Sequence, residues 1–73
     1  MQRQRSRILW TNPGNPPGSV ARALGMGPRH FSRALHKIKA ASDLSDADRV
    51  VIYSDGLVTD AQGEPLGNLH DED

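Results

Sequence analysis

The sequence predicts an α+β fold in which one or two N-terminal helices pack on a small antiparallel β-meander of three or four strands. Two observations lead to this prediction. Apolar side chains recur with helical spacing in residues 28–41, and after residue 48 the pattern changes to short strands separated by turn residues. A chain of 73 residues has room for one domain at most, so we treat residues 1–73 as a single domain.

Residues 1–18 are predicted to form a basic arm followed by an irregular loop. Within them, residues 7–10 (RILW) are short, apolar and partly β-favouring, which predicts a first strand. The next eight residues contain three prolines and two glycines, a composition typical of a loop. No apolar stretch follows the basic start, so it does not resemble a signal peptide, and we expect the chain to be a piece of a longer protein.

Residues 19–42 are predicted to be helical. Ser19 is a candidate N-cap for a short helix that runs to Leu24 and is ended by Gly25. Pro28 is suited to the first turn of a second helix, which we expect to extend to about Ala41. Five apolar residues of this second helix form one stripe with the spacing i, i+3, i+4, i+7 and i+10: Phe31, Ala34, Leu35, Ile38 and Ala41.

Residues 49–70 are predicted to form the meander. Residues 49–53 (RVVIY) have the composition of a strand, and Asp55-Gly56 is a strong hairpin signal. Residues 57–60 would return antiparallel, residues 62–65 offer a second turn, and residues 66–69 are a candidate third strand.

The charges of the chain are segregated along the sequence. Residues 1–42 contain eight Arg and Lys and no acid, whereas residues 43–73 contain nine acids and one base, Arg49. The two halves therefore carry +8 and −8, although the net charge is zero. This asymmetry is expected of a protein that presents one face to a polyphosphate. The alternative is that the two halves attract each other within the fold.

A cationic row is predicted on the second helix, opposite its apolar stripe. At about 100° per residue, Arg29, Arg33 and His36 share one side. Lys37 and His30 flank this group, and Lys39 lies nearer the margin of the core. An ordinary solvated face is the alternative, but such faces usually mix both signs of charge and this one contains no acid.

Histidine and arginine are the residues with which this chain could do chemistry. There is no cysteine, no H-E-x-x-H pattern and no glycine-rich phosphate loop, so we predict neither a metal nor a cofactor. Metal-free RNA cleavage requires proton transfer, for which histidine is suited near neutral pH, and cations around the phosphate, for which arginine is suited. No apolar run is long enough to cross a bilayer, and we expect no membrane association.

A winged helix-turn-helix DNA-binding module without catalysis is the alternative interpretation. Residues 19–35 have a small residue in the first helix (Ala21), glycine at the turn (Gly25) and an apolar anchor in the second helix (Phe31). The hairpin of residues 49–60 could act as the wing. Against this, no helix precedes the pair, and the hairpin carries acids where a wing usually carries bases.

Four segments resemble the C-terminal toxin domains of bacterial polymorphic toxins. They are residues 19–25 (SVARALG), 33–39 (RALHKIK), 48–56 (DRVVIYSDG) and 66–72 (LGNLHDE). Such domains occur in contact-dependent inhibition proteins, Rhs proteins and bacteriocins. The chain is similar to their ribonuclease group, which includes barnase, EndoU, colicin and RelE-like folds.

The resemblance implies a metal-independent endoribonuclease that cleaves RNA, often tRNA. It would be secreted or delivered by the producer as part of a larger protein, act as a monomer in the cytoplasm of the target cell, and be inhibited by a cognate immunity protein. The predicted catalytic residues are His36, His30, Arg33 and Lys39, with His70 as a further candidate proton carrier. The predicted RNA-binding residues are Arg29, Lys37, Arg22 and Arg7.

Overall fold

The computed structural model describes residues 7–72, so the first six residues of the predicted basic arm lie outside the described part. Two α-helices and a four-stranded antiparallel sheet are present, which confirms the predicted α+β fold. The elements in chain order are β1 (Ile8–Trp10), α1 (Gly18–Ala23), α2 (Pro28–Ala41), β2 (Val50–Tyr53), β3 (Leu57–Asp60), β4 (Pro65–Asn68) and a closing 3₁₀ turn (Leu69–Asp71).

The sheet combines a local meander with one strand from the start of the chain. Its order is β1-β2-β3-β4, and every neighbouring pair is antiparallel. The hairpin predicted at Asp55-Gly56 joins β2 to β3. Strand β1 then pairs with the outer edge of β2, with Ile8 opposite Tyr53 and a register irregularity before Trp10. Along the sequence, both helices therefore lie between β1 and β2, which are neighbouring strands of the sheet.

Helix α1 begins one residue earlier than the sequence indicates, and the prediction of Ser19 as its N-cap is wrong. Pro17 is the N-cap, with an extended backbone (φ −71°, ψ 162°) and no capping side chain. Its carbonyl oxygen accepts from the Val20 amide at 3.1 Å. Because proline fixes φ near this value and cannot donate from its own nitrogen, the bend into the helix occurs at Pro17 and places Ser19 inside the first turn.

Helix α2 has the predicted bounds, with Pro28 in its first turn. Four residues of the predicted stripe are buried: Phe31, Ala34, Leu35 and Ile38. Ala41 is exposed, contrary to the prediction, because it is the last helical residue and the chain turns away at Ser42. Lys39 is buried in addition, with 2% of its surface exposed.

One core joins the helices to the sheet. Its largest fully buried side chains are Val50, Ile52, Val58 and Leu69. Helix α2 crosses the sheet at Gly67, where an added Cβ atom would lie 3.2 Å from Cγ1 of Ile38. This glycine allows the helix to approach β4 closely.

Candidate functional site

A cleft of about 360 Å³ lies between the proline-rich loop and one side of α2. Its walls are residues of the loop and of α1 on one side, and residues of α2 together with Asp46 on the other. The lining residues are Asn15, Pro16, Pro17, Gly18, Ala21, Pro28, Phe31, Ser32, Leu35, His36, Lys39 and Asp46. Two of the predicted catalytic residues, His36 and Lys39, therefore line the same cavity.

Lys39 connects helix α2 to the segment that follows it. Its ammonium group donates a hydrogen bond to the carbonyl oxygen of Asp46 at 3.1 Å. Its own carbonyl oxygen accepts from the Leu44 amide at 2.8 Å. Lys39 thus links the loop to α2, and the same residue lines the cleft.

Asp46 is held beside His36 by a tight turn. The carboxylate of Asp48 accepts from the amide of Ser45 at 2.7 Å and from its hydroxyl at 3.2 Å. This turn and the Lys39 contact place Oδ1 of Asp46 3.7 Å from Nδ1 of His36. The separation is longer than a hydrogen bond, and the two side chains are 72% and 66% exposed, so the pair contributes little to stability. In this arrangement Nδ1 is the nitrogen of the His36 ring that faces the Asp46 carboxylate.

His36 lies at the boundary between the cleft and the cationic row. At about 100° per residue, Arg29 and Arg33 lie within roughly 60° of His36 on one side of the helix axis. Ser32 and Lys39, which line the cleft, lie within roughly 60° on the other side. Arg29, Arg33 and His36 are all exposed. An imidazole therefore stands where a phosphate could contact both surfaces.

The other predicted site residues do not line the cleft. His30 and Lys37 are exposed on α2 to the far side of the cationic row. Arg22 is exposed in the last turn of α1. Arg7 starts the first strand, where its amide donates to the Ser54 hydroxyl at 2.9 Å.

His70 packs against the tip of the β2–β3 hairpin. The Leu69 amide donates to the carbonyl oxygen of Gly56 at 2.8 Å, and the Asn68 side chain donates to that of Asp55 at 3.3 Å. The His70 ring lies so close to Gly56 that a Cβ atom there would be 2.6 Å from Cδ2. The G-N-L-H segment therefore closes over the D-G turn.

The ribonuclease interpretation of the sequence did not include three polar residues of the cleft: Asn15, Ser32 and Asp46. For Asp46 a signal was present, because Ser45 followed three residues later by Asp48 ahead of an apolar run is the pattern of a capping box. That pattern indicates local order in residues 45–48, although a strand and not a helix follows it. Asn15 and Ser32 carry no comparable local signal.

Comparison with known proteins adds no relative. No protein-family profile, curated protein or solved structure matches the chain. Within residues 7–72, no group of three or more His, Asp and Glu side chains is arranged to hold a metal ion. Neither α-helix of this part is long and apolar enough to span a bilayer.

Proposed function

We propose that this chain is a metal-independent endoribonuclease. The observation that carries the proposal is the position of His36 between a cleft and an acid-free row of arginines, beside the buried ammonium of Lys39. A proton acceptor, a cationic surface for the RNA backbone and a fixed hydrogen-bond donor are the groups that RNA cleavage without a metal requires.

In the proposed reaction, Nε2 of His36 takes the proton from a ribose 2′-hydroxyl. The 2′-oxygen forms a bond to the adjacent phosphorus, the bond from phosphorus to the 5′-oxygen breaks, and a 2′,3′-cyclic phosphate results. The leaving 5′-oxygen takes a proton from water. Nδ1 of His36 faces the Asp46 carboxylate at 3.7 Å, and Nε2 is the nitrogen to which we assign the acceptor role. Lys39 donates to the non-bridging oxygens as charge develops on them.

The deciding experiment is incubation of the purified domain with total bacterial RNA in EDTA, followed by gel electrophoresis. We expect discrete fragments, and we expect His36→Ala to reduce the rate by about 10²- to 10⁴-fold while the domain stays folded, because the ring is exposed. His30→Ala serves as the comparison on the same helix, and we expect the smaller loss there. Equal activity of His36→Ala and the unaltered protein would refute the assignment.

The biological setting is a further part of this proposal and rests on the resemblance to polymorphic toxin domains. The enzyme would reach the cytoplasm of a competing bacterium as the tip of a larger protein and cleave tRNA there. A cognate immunity protein would protect the producer. Expression of the domain in a bacterial cytoplasm, with tRNA integrity followed by northern blot, tests this setting separately from the cleavage chemistry.

DNA binding by a helix-turn-helix is the second candidate. It is favoured by two consecutive helices of which the second exposes Arg29, His30 and Arg33 near its start. The short α1 and the acid at the tip of the β2–β3 hairpin do not favour it. Intact RNA after incubation, together with retention of a duplex DNA probe in a gel shift, would support this candidate over the ribonuclease.

A further inference from the structure

We infer that the cleft is a nucleobase-binding subsite that takes the base of the nucleotide at the cleavage point. This inference rests on the proposed ribonuclease function and adds what the site recognises. The cationic row explains attraction to any polyphosphate. It does not explain why a cavity opens beside His36, and the composition of that cavity indicates its occupant.

Part of the lining of the cleft is apolar. Ala21, Phe31 and Leu35 belong to the core and are each no more than 4% exposed. Pro16 and Pro17 of the loop line the cleft as well. Apolar side chains from a helix and prolines from a loop suit a flat aromatic ring, because stacking excludes water from its faces.

The cleft also has polar groups, among them Asn15 and Ser32. Asn15 carries both a donor and an acceptor in one amide, and Ser32 carries a hydroxyl that can act as either. These are the groups that hydrogen-bond to the edge of a base. A volume of about 360 Å³ lies at the small end of the range for ligand pockets, which is appropriate for one nucleotide rather than for a peptide segment.

The cleft also adjoins the cationic row. His36 and Lys39 line it together with Asn15 and the prolines. The exposed arginines continue from His36 along α2 and complement the phosphates on either side of a base inserted here. A base bound in the cleft would therefore have a phosphate within reach of the imidazole.

Direct binding of mononucleotides tests the subsite. The isotopically labelled domain is titrated by NMR with the four ribonucleoside 3′-monophosphates and, separately, with inorganic phosphate. Titration to about 10 mM detects a millimolar dissociation constant. We expect at least one nucleotide to shift the Asn15, Ser32 and Leu35 signals, whereas phosphate alone shifts only His36, Lys39 and the neighbouring arginines.

A cleft-filling variant with a matched control locates the binding. Gly18 lines the cleft, and a Cβ atom there meets no atom within 4 Å, so Gly18→Leu adds a side chain at the cleft without a clash at its Cβ atom. Gly27 stands equally open at the start of α2 and does not line the cleft, so Gly27→Leu is its control. We expect Gly18→Leu to weaken nucleotide binding by about tenfold or more and Gly27→Leu to leave it unchanged. Ser32→Leu, with Ser19→Leu as its control, gives the same contrast if Gly18→Leu does not fold.

The outcomes separate this inference from the proposed function. Identical shifts from nucleotide and phosphate, or no shift at Asn15 and Ser32 with any nucleotide, would overturn the subsite even if RNA is cleaved. Conversely, nucleotide binding that Gly18→Leu abolishes would support the subsite even if the domain leaves RNA intact in EDTA, in which case the ribonuclease proposal alone is wrong.

Discussion

Lys39 is the residue at which packing and the proposed chemistry meet. A buried ammonium is costly unless it is hydrogen-bonded, and its bond to the Asp46 carbonyl offsets part of that cost. A methionine of similar length would pack in the same space and leave an exposed segment whose carbonyl water can solvate. The presence of a lysine at position 39 is therefore better explained by its proposed role as a hydrogen-bond donor to RNA than by a contribution to stability.

We expect Lys39→Met to separate these two roles. The variant loses a charged hydrogen bond and also loses the burial of a charge, so its free energy of unfolding should change by no more than about 1 kcal/mol. RNA cleavage should fall by about 10²- to 10³-fold, because one fixed donor to the developing charge is removed. Urea unfolding and initial cleavage rates measure the two effects. Arg49→Met removes an exposed cation outside the cleft and is the control.

Unaltered cleavage by Lys39→Met would assign Lys39 a structural role only. If stability also fell sharply, the contact with the Asp46 carbonyl would be its whole contribution. The conservative variant Lys39→Arg keeps a cation but changes its reach and geometry, so it distinguishes loss of charge from loss of position.

Helix α2 is an element with two different sides, one buried and one cationic, and His36 lies at the edge of the second. Because the exposed arginines have no role in the core, their removal should change binding and leave the fold intact. This separation makes the helix suitable for measuring how many phosphates the surface contacts.

We expect Arg29→Ala combined with Arg33→Ala to weaken RNA binding and to flatten its dependence on salt. Two lost phosphate contacts, at about 0.7 each for a single strand, reduce the slope of log K against log salt concentration by about 1.4. Fluorescence anisotropy with a labelled RNA at several salt concentrations measures the slope. Arg49→Ala, which removes a charge from the acidic half, should leave it unchanged. An unchanged slope in the double variant would show that the cationic row does not contact RNA.

The clasp formed by the G-N-L-H segment over the D-G turn also makes a prediction for the β2–β3 hairpin. Gly56 has φ +94°, and a Cβ atom there would collide with both His70 and Asn68. Gly63 has a similar φ of +86°, but a Cβ atom there meets nothing within 4 Å. Gly63→Ala therefore measures backbone strain alone, and Gly56→Ala measures strain together with the collision.

We expect Gly56→Ala to lower the free energy of unfolding by at least about 1 kcal/mol more than Gly63→Ala. Chemical denaturation of the two variants gives the difference. Equal losses would mean that His70 and Asn68 move aside at little cost, and that the hairpin tip is held by the turn residues without the clasp.

At the scale of the whole molecule, one core joins all parts of the described chain. Buried residues from both helices, from β2 and β3 and from the closing 3₁₀ turn belong to a single cluster, and Trp10 of β1 packs against it. Helices and sheet should therefore unfold together. Helical circular dichroism and the fluorescence of Trp10, the one tryptophan of the chain, should give the same midpoint in urea.

Truncation of the core at Ile52 should remove a large share of the total stability. Ile52 is fully buried, and Ile52→Ala is expected to cost about 2–5 kcal/mol, against about 5–15 kcal/mol for a whole domain. Ile8→Ala, at an apolar position that is 54% exposed, is the control and should cost less than about 1 kcal/mol. Different urea midpoints for helical circular dichroism and for Trp10 fluorescence would contradict the expected joint unfolding of helices and sheet.

The sequence predicts the elements that local patterns determine. The spacing of Phe31 and Leu35 and the position of Pro28 identify α2, and Asp55-Gly56 identifies the hairpin. The site depends on contacts that no local pattern encodes. Lys39 reaches the backbone of Asp46, and that contact brings a carboxylate to His36. The cleft exists because a loop without regular structure folds back over α2. Neither the Lys39 contact nor the position of this loop produces a periodic pattern in the sequence.

The place of β1 in the sheet bears on the order in which the chain can assemble. The pairs β2–β3 and β3–β4 close short turns, whereas the pairing of Ile8 with Tyr53 closes a loop that contains both helices. The chain entropy lost on closure grows with loop length, and contacts between distant residues form late. We therefore expect β1 to find its partner after the meander has formed. Until it does, the outer edge of β2 is an open template on which another extended chain could add.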